Sequence, residues 1–417
     1  MTQATNSNQA INENSGSNSP ELADIFWEHI NDYRKKYNLH PDHYQVVADI
    51  MQCRTAYLGG HVHQCSECHT EQILYNSCRD RHCPKCQTMA KAKWLQDREA
   101  ELLPIPYWHC VFTLPHEINP VALCNKRIVY GILFQAVSKT LLKFGANPEN
   151  GLGGLLGITA ILHTWNQKLE DHLHLHAVIP AGVLSFDHNR FITCQYDFLF
   201  PVEALSKVFR GIFMELFDEA YHRGELKFPG KTKNSGTKSG FRKLKNCLWS
   251  KKWVVYAKKP FAGPAAVFGY IARYTHRVAI SNHRILACND GKVTFSYRNR
   301  KANRIETETL DAVEFIRRFL LHVIPKRFMR IRHYGLLANR NKRANIHQCR
   351  KLLGLNEQLP KQEKLCVADL MLKLTGKDIH LCPYCKKGTL EHKTVIPKFS
   401  GPGANVMLKK FRRKDSP

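Results

Sequence analysis

The segment 158–180 reads ITAILHTWNQKLEDHLHLHAVIP and carries His172, His174 and His176 at alternate positions. It has the pattern of two apolar strands joined by a polar turn at Lys168, Leu169, Glu170 and Asp171. In a strand, residues i and i+2 point to one face, so the three imidazoles form a row. A four-residue turn pairs Gln167 with His172, Trp165 with His174, and His163 with His176, which brings His163 onto the same face. A row of histidines among apolar residues is costly to bury unless something binds it, and a metal ion is the natural ligand. The plainer alternative is a half-exposed strand whose histidines face solvent.

A second set of chemistry-bearing residues lies upstream. Residues 60–87, GHVHQCSECHTEQILYNSCRDRHCPKCQ, contain two Cys-x-x-Cys knuckles, Cys65/Cys68 and Cys83/Cys86. Each knuckle can place two thiolates on one ion, and the four together are expected to complete a closed tetrahedral zinc site. Such a site leaves no open coordination position, so its role is structural. Cys78, His82, His61 and His63 are surplus ligand types that could replace a cysteine or serve a second ion, with plain polar neighbours of the site the favoured reading. Arg79, Arg81, Lys85, Lys91 and Lys93 surround it, either as a phosphate-contacting face or as a solvated basic surface. Near the C-terminus, Cys382 and Cys385 form another knuckle, a candidate second zinc site that His380, His392, Cys366 or Cys349 would have to complete.

The elements that must position these groups follow from periodicity. Residues 21–37 and 43–51 have helical spacing, 107–114 is an aromatic and β-branched strand, and a long helix follows from 119 or 120 to about 144. Residues 202–222 place Leu205, Val208, Phe209, Ile212 and Leu216 on one helical stripe. Three alternating runs at 284–288, 292–297 and 304–310 read as a strand meander, with Asn289-Asp290-Gly291 as a hairpin turn, followed by a helix at 311–322. The organisation expected is a leader at 1–20, a helical and zinc-binding module at 21–105, a sheet-and-helix domain at 106–285, a basic extension at 286–345 and a tail at 346–417.

Composition narrows the partners. The chain has 417 residues, 43% of them hydrophobic, with 62 Lys+Arg against 35 Asp+Glu and a net charge of +27. That excess points to a polyanion, nucleic acid first. No apolar run approaches a membrane span and no secretory signal is evident, so no membrane partner is expected. Fifteen cysteines in such a chain imply a reducing compartment, a cytoplasm, where thiols serve metals. Residues 231–259 hold ten Lys/Arg and no acid, with Trp249, Trp253 and Tyr256 interleaved, a pattern that fits single-strand binding or a plain core strand. A second basic stretch without acids, between Glu314 and Glu357, contains Arg317, Arg318, Lys326, Arg327, Arg330 and Arg332.

Taken together, LHTW followed by HLHLH and VIP, then YIARYTHRVAISNHRI about a hundred residues on, resembles the insertion sequence 91 family of transposases. YNSCRDRHCPKCQ resembles that family's zinc-binding domain, and RRFLLHVIPKRFMRIRHYGLLAN its downstream segment; the likeness spans roughly 42–343. The resemblance implies an α+β fold of the HUH endonuclease type, a central antiparallel sheet flanked by helices, with His174 and His176 holding divalent Mg²⁺ or Mn²⁺. It implies that Tyr270 and Tyr274 are paired nucleophiles that cut single-stranded DNA and retain a 5′-phosphotyrosine. Lys251 and Lys252 of the basic stretch, with Arg273 and Arg277 beside the tyrosines, are expected DNA contacts. Without the resemblance, tyrosines four apart read as packing on one helical face. Leu173 stands where relatives commonly carry proline, which makes His172 a rival ligand. Strand pairing nominates His163 as the third ligand, with Gln167 as the substitute if the turn is shifted. The competing readings are a rolling-circle replication initiator with the same chemistry and a non-catalytic, zinc-stabilised DNA-binding regulator.

Overall fold

The computed structural model describes residues 19–99, 101–194, 199–261, 278–299, 302–355 and 366–399. The chain begins with helices α1 (Leu22–Lys36) and α2 (Pro41–Gln52), then strands β1 (Gly60–Cys65) and β2 (Glu71–Tyr75) and helix α3 (Gln87–Glu99). There follow β3 (Tyr107–Thr113), α4 (Asn119–Cys124), α5 (Lys126–Ala146), β4 (Gly154–Trp165), β5 (Asp171–Pro180), β6 (Gly182–Ser185) and β7 (Phe191–Thr193). Next come α6 (Val202–His222), α7 (Lys238–Ser250), β8 (Val254–Phe261), β9 (Ile285–Asn289), β10 (Lys292–Asn299) and β11 (Arg304–Asp311). The described chain ends with α8 (Ala312–Leu321), β12 (Ile331–Gly335), α9 (Lys342–Leu352), α10 (Val367–Thr375) and β13 (Leu390–Ile396).

Seven strands make an antiparallel sheet in the order β7-β6-β4-β5-β3-β8, with β12 also paired to β4. Alternation sorts its residues between two faces. Cys110, Phe112, Ala160, Leu162, Leu173, Leu175, Ala177 and Val255 point into the main core, against Leu133, Phe134 and Val137 of α5 and Phe209, Phe213 and Phe217 of α6. Each of those fully buried phenylalanines contributes roughly 1.5–3 kcal/mol by leaving water. The long helix expected after 119 is broken at Asn125, whose side chain accepts from Lys227 N at 2.7 Å and donates to Lys227 O at 2.7 Å. The α+β architecture, a curled antiparallel sheet flanked by helices, is the fold class the sequence implied.

The opposite face holds the histidines and is closed at its two ends by separate packing. At one end α1, α2, α8 and the β9-β10-β11 meander share a core that takes in Trp165 and Leu169 of the β4–β5 hairpin, with Phe26 edge-on to Phe319 at 5.6 Å. At the other end Leu103, Ile105, Tyr107, Ile161, Val178, Leu336, Ile346 and Cys349 pack together. The β9–β10 turn has positive φ at Asp290 (51°) and Gly291 (71°), the hairpin turn its Asn-Asp-Gly sequence called for. A third sheet, β13-β1-β2, joins the last described strand to the first two.

The β4–β5 pairing corrects the expected register. His163 lies opposite His174, Ile161 opposite His176 and Trp165 opposite Asp171, with a bulge between His163 and Trp165. The turn is longer because Leu169, at φ 61°, folds inward to full burial. Asn166 Oδ1 holds that turn by accepting from Lys168 N at 2.9 Å and Glu170 N at 3.0 Å. The slip is two residues, and a strand repeats every two, so the histidines keep the face expected of them.

Candidate metal centres and nucleic-acid face

His163, His174 and His176 converge on the sheet face away from α5 and α6. Their ring centroids are 5.4 Å (163–174), 4.6 Å (163–176) and 4.9 Å (174–176) apart, and one donor atom from each lies within 4.8 Å of the others. All three are buried. The Trp165 indole stacks on His163 at 4.8 Å and 19°, restraining that ring. His174 Nδ1–H donates to His172 O at 2.8 Å, which leaves the Nε2 lone pair for a ligand. His172 therefore serves through its backbone carbonyl while its side chain is exposed and outside the group. Gln167 stays in the turn, where its carbonyl accepts from Arg284 Nη2 at 2.5 Å.

His109 on β3 was not anticipated. Its Nε2 and the Nδ1 of His176 share a 2.8 Å hydrogen bond, and the two rings stack at 5.1 Å and 18°. This bond orients His176 as the His172 carbonyl orients His174. The only signal in the sequence was the position of His109 within a strand, and the β3–β5 pairing that brings it to the site is non-local. On the same face β3 sets Val111 opposite Tyr256 and Thr113 opposite Val254. Tyr256 and Val254 are 55% and 58% exposed, whereas Trp253 is in the core with Nε1 donating to Leu248 O at 2.9 Å. Trp249 is exposed beneath the Arg210 guanidinium, 4.9 Å from its ring. The aromatics of 231–259 thus divide between core and surface. Tyr270, Tyr274, Arg273 and Arg277 lie outside the described residues.

The cysteines group differently from the expected single site. Cys83 and Cys86 join Cys53 and Cys78, while Cys65 and Cys68 join Cys382 and Cys385. In the first group Cys86 Sγ lies 3.5 Å from Cys53 Sγ and 3.6 Å from Cys78 Sγ. Four thiolates about 2.3 Å from one ion stand roughly 3.8 Å apart along the tetrahedral edges, so these spacings suit zinc. Neighbouring knuckles part because β1 and β2 carry Cys65 and Cys68 away from the turn at 83–86. Cys78 is a member and not a bystander. His82 belongs to neither group: its Nδ1 pairs with Asp80 Oδ1 at 3.0 Å and its Nε2 accepts from Ile324 N at 3.1 Å. Burial pushes its pKa down, in keeping with that neutral acceptor.

Four of the six basic residues from Arg317 to Arg332 are engaged by partners within the protein. Arg317 makes a two-point contact with Glu314 at 2.6 and 2.8 Å, and Arg318 contacts Glu314, Glu308 and the Lys168 carbonyl at 2.9–3.1 Å. Arg330 is buried, with Nη2 donating to Gln87 Oε1 at 3.2 Å. Arg332 lies 4.4 Å over the Phe134 ring and 4.8 Å over that of Phe328. These four were expected at DNA; their partners are carbonyls, rings, an amide and the acids Glu308 and Glu314, which lie at or before the start of the acid-free stretch. Lys326, Arg327, Lys251 and Lys252 are exposed, Lys251 beside Glu117 at 2.6 Å.

The loop 322–330 is a hub. His322 Nε2 meets Leu169 O at 3.0 Å and its Nδ1 meets Thr164 Oγ1 at 3.2 Å. Burial drives its pKa from 6.5 to about 3, so it is neutral. Arg81 donates to Phe328 O, Ile324 O and Pro325 O at 2.6, 3.3 and 2.7 Å. Lys126 Nζ donates to Leu321 O and Val323 O at 2.7 and 2.9 Å. The zinc-binding stretch, α5 and the histidine hairpin are tied through one loop.

The histidine-bearing sheet face and the two thiolate clusters are suited to metal ions and the net charge of +27 to a polyanion, and the comparisons give the class, a transposase. Residues 157–345 match a family described as "Putative transposase", and residues 25–114 match one described as "Transposase zinc-binding domain". "Putative transposase y4qJ" of Sinorhizobium fredii is 44% identical over 387 residues, 92% of this chain and 97% of that protein. The transposase for insertion sequence element IS801 of Pseudomonas savastanoi pv. phaseolicola is 26% identical over 299 residues, 71% of this chain and 70% of its own length. No solved structure matches. The chain belongs to the insertion sequence 91 family of transposases. The matched zinc-binding stretch contains Cys53, Cys78, Cys83 and Cys86, whose spacing fits structural zinc. Among the described residues no helix is long and apolar enough to cross a membrane.

Proposed function

We propose that this transposase nicks and rejoins single-stranded DNA at the ends of its own mobile element through a 5′-phosphotyrosine intermediate. The observation that carries the reading is the convergence of His163, His174 and His176 on one sheet face, with two of them oriented through their Nδ1 atoms. A divalent ion bound there, Mn²⁺ or Mg²⁺, supplies Lewis-acid polarisation of the scissile phosphate. Imidazole donors favour Mn²⁺ of the two.

The tyrosine hydroxyl of Tyr270 or Tyr274 attacks phosphorus in line and loses its proton. The bond from phosphorus to the 3′ oxygen breaks, the 3′ oxygen leaves as a hydroxyl, and the 5′ phosphate stays on the tyrosine. Attack by a 3′-hydroxyl reverses the step, so rejoining needs no nucleotide cofactor. The second tyrosine lets one strand stay bound while another is cut. Lys251, Lys252, Lys326 and Arg327, with Arg273 and Arg277, are the cations assigned to phosphates. Tyr256 and Trp249, exposed beside basic residues, are suited to stack bases.

The test uses single-stranded oligonucleotides from the element's ends with Mn²⁺. The double substitution His174→Ala/His176→Ala is expected to abolish cleavage while DNA binding survives. Cleavage at the parent rate would remove the metal-centred reading.

A further inference from the structure

Of the seven cysteines between residues 25 and 114, Cys110 is in the main core and four form the first cluster. Cys65 and Cys68 are left with half of a tetrahedral site. The other half comes from beyond both matched family regions, from Cys382 and Cys385. Cys65 Sγ lies 3.6 Å from Cys385 Sγ, and Cys68 Sγ lies 3.7 Å from Cys382 Sγ. These separations are far beyond a disulfide bond of about 2.05 Å. They match the edge of roughly 3.8 Å expected for thiolates on one zinc ion.

The backbone is shaped around the same point. Glu67 N and Cys68 N donate to Cys65 Sγ at 3.4 and 3.5 Å, and Gly388 N donates to Cys385 Sγ at 3.4 Å. A Cβ at position 388 would stand 2.5 Å from Cys65 Sγ, so only glycine lets the two knuckles close. Ser66 N donates to Thr389 O at 3.0 Å and Thr389 N donates to Ser66 Oγ at 3.1 Å, stitching one knuckle to the other. From there β13 runs antiparallel to β1, from Cys65 opposite Leu390 to Gly60 opposite Ile396. Without β13 the β1–β2 hairpin would be an isolated two-stranded ribbon, which is marginal in water.

We propose that Cys65, Cys68, Cys382 and Cys385 bind a second zinc ion, and that the two ends of the chain thereby fold as one split zinc ribbon. The ion clasps the C-terminal segment onto the zinc-binding module across 314 positions of sequence. Binding releases the thiol protons and closes that loop, so the ribbon is complete only when the whole chain is present. The site stands independently of the strand-transfer chemistry.

The test counts zinc in the purified full-length chain by mass spectrometry and follows the tail by cleavage. Two zinc ions per chain are expected, one in the Cys382→Ser/Cys385→Ser variant, and one in the Cys53→Ser/Cys78→Ser variant. A protease site placed within 356–365 should, after cutting, leave the C-terminal fragment attached to the body during gel filtration. A chelator should release it, and the Cys53→Ser/Cys78→Ser chain should still retain it before chelation. A Cys382→Ser/Cys385→Ser chain that keeps two zinc ions overturns the proposal. So does a cut fragment that leaves without chelator, a readout that holds even if the serine variant fails to fold.

Discussion

Replacing Arg81 by alanine probes how the zinc-binding stretch is coupled to the histidine sheet. Its guanidinium donates to three carbonyls of the loop 322–330, and burial lowers its pKa below the usual arginine range. Hydrogen bonds from a charged donor contribute about 1.5–3 kcal/mol each, and orphaned carbonyls add a desolvation cost. One side chain shares the three bonds and part of it is wet, so the total loss is about 3–5 kcal/mol. Arg81→Lys keeps the charge but lacks the fork, and is expected to lose about half as much. The assay is urea unfolding of the parent and both variants, with limited proteolysis to see whether the zinc-binding stretch is released first. Equal unfolding midpoints for parent and Arg81→Ala would refute the idea that this loop couples the two parts.

Other expectations follow from the same geometry. Because folding lowers the His322 pKa from 6.5 to about 3, the unfolded chain takes up the proton first. Its stabilising share is whole above 6.5 and is lost as pH falls from there towards 3, at up to about 1.4 kcal/mol per pH unit. His322→Gln should flatten that part of the stability–pH curve, measured by urea unfolding across the window. His109→Ala should weaken Mn²⁺ binding by roughly 10–100-fold, the usual effect of removing a group that orients a ligand. Titration calorimetry reads it, and an unchanged affinity would mean that His176 needs no support. His172→Ala should leave cleavage close to the parent level, since the carbonyl that orients His174 is kept; loss of cleavage would restore it as a ligand.

The local elements were legible because their signals are short-range. Asn289-Asp290-Gly291 marked its turn, the 202–222 stripe its helix, and alternation placed His163, His174 and His176 together although the register was off by two. What depended on distant partners was not legible. No count along the chain reveals that Cys65 and Cys68 meet a knuckle from the other end, or that Cys53 and Cys78 complete the nearer one. Arg317, Arg318, Arg330 and Arg332 looked like a DNA footprint because Glu314 and Glu308 lie just upstream of the acid-free stretch, and the amide, carbonyl and ring partners carry no formal charge. Leu169 read as a polar turn residue, yet it is buried against helices drawn from both sides of the hairpin.

Mapping the covalent link decides whether a tyrosine is the nucleophile. A single-stranded oligonucleotide bearing the element's end, incubated with the full-length protein and Mn²⁺, is run on a denaturing gel, and the adduct is digested for mass spectrometry. A 5′-phosphotyrosine is expected at Tyr270 or Tyr274, absent from the Tyr270→Phe/Tyr274→Phe double variant and from His174→Ala/His176→Ala. Undiminished adduct in the double tyrosine variant, or a link mapped to another residue, would contradict it.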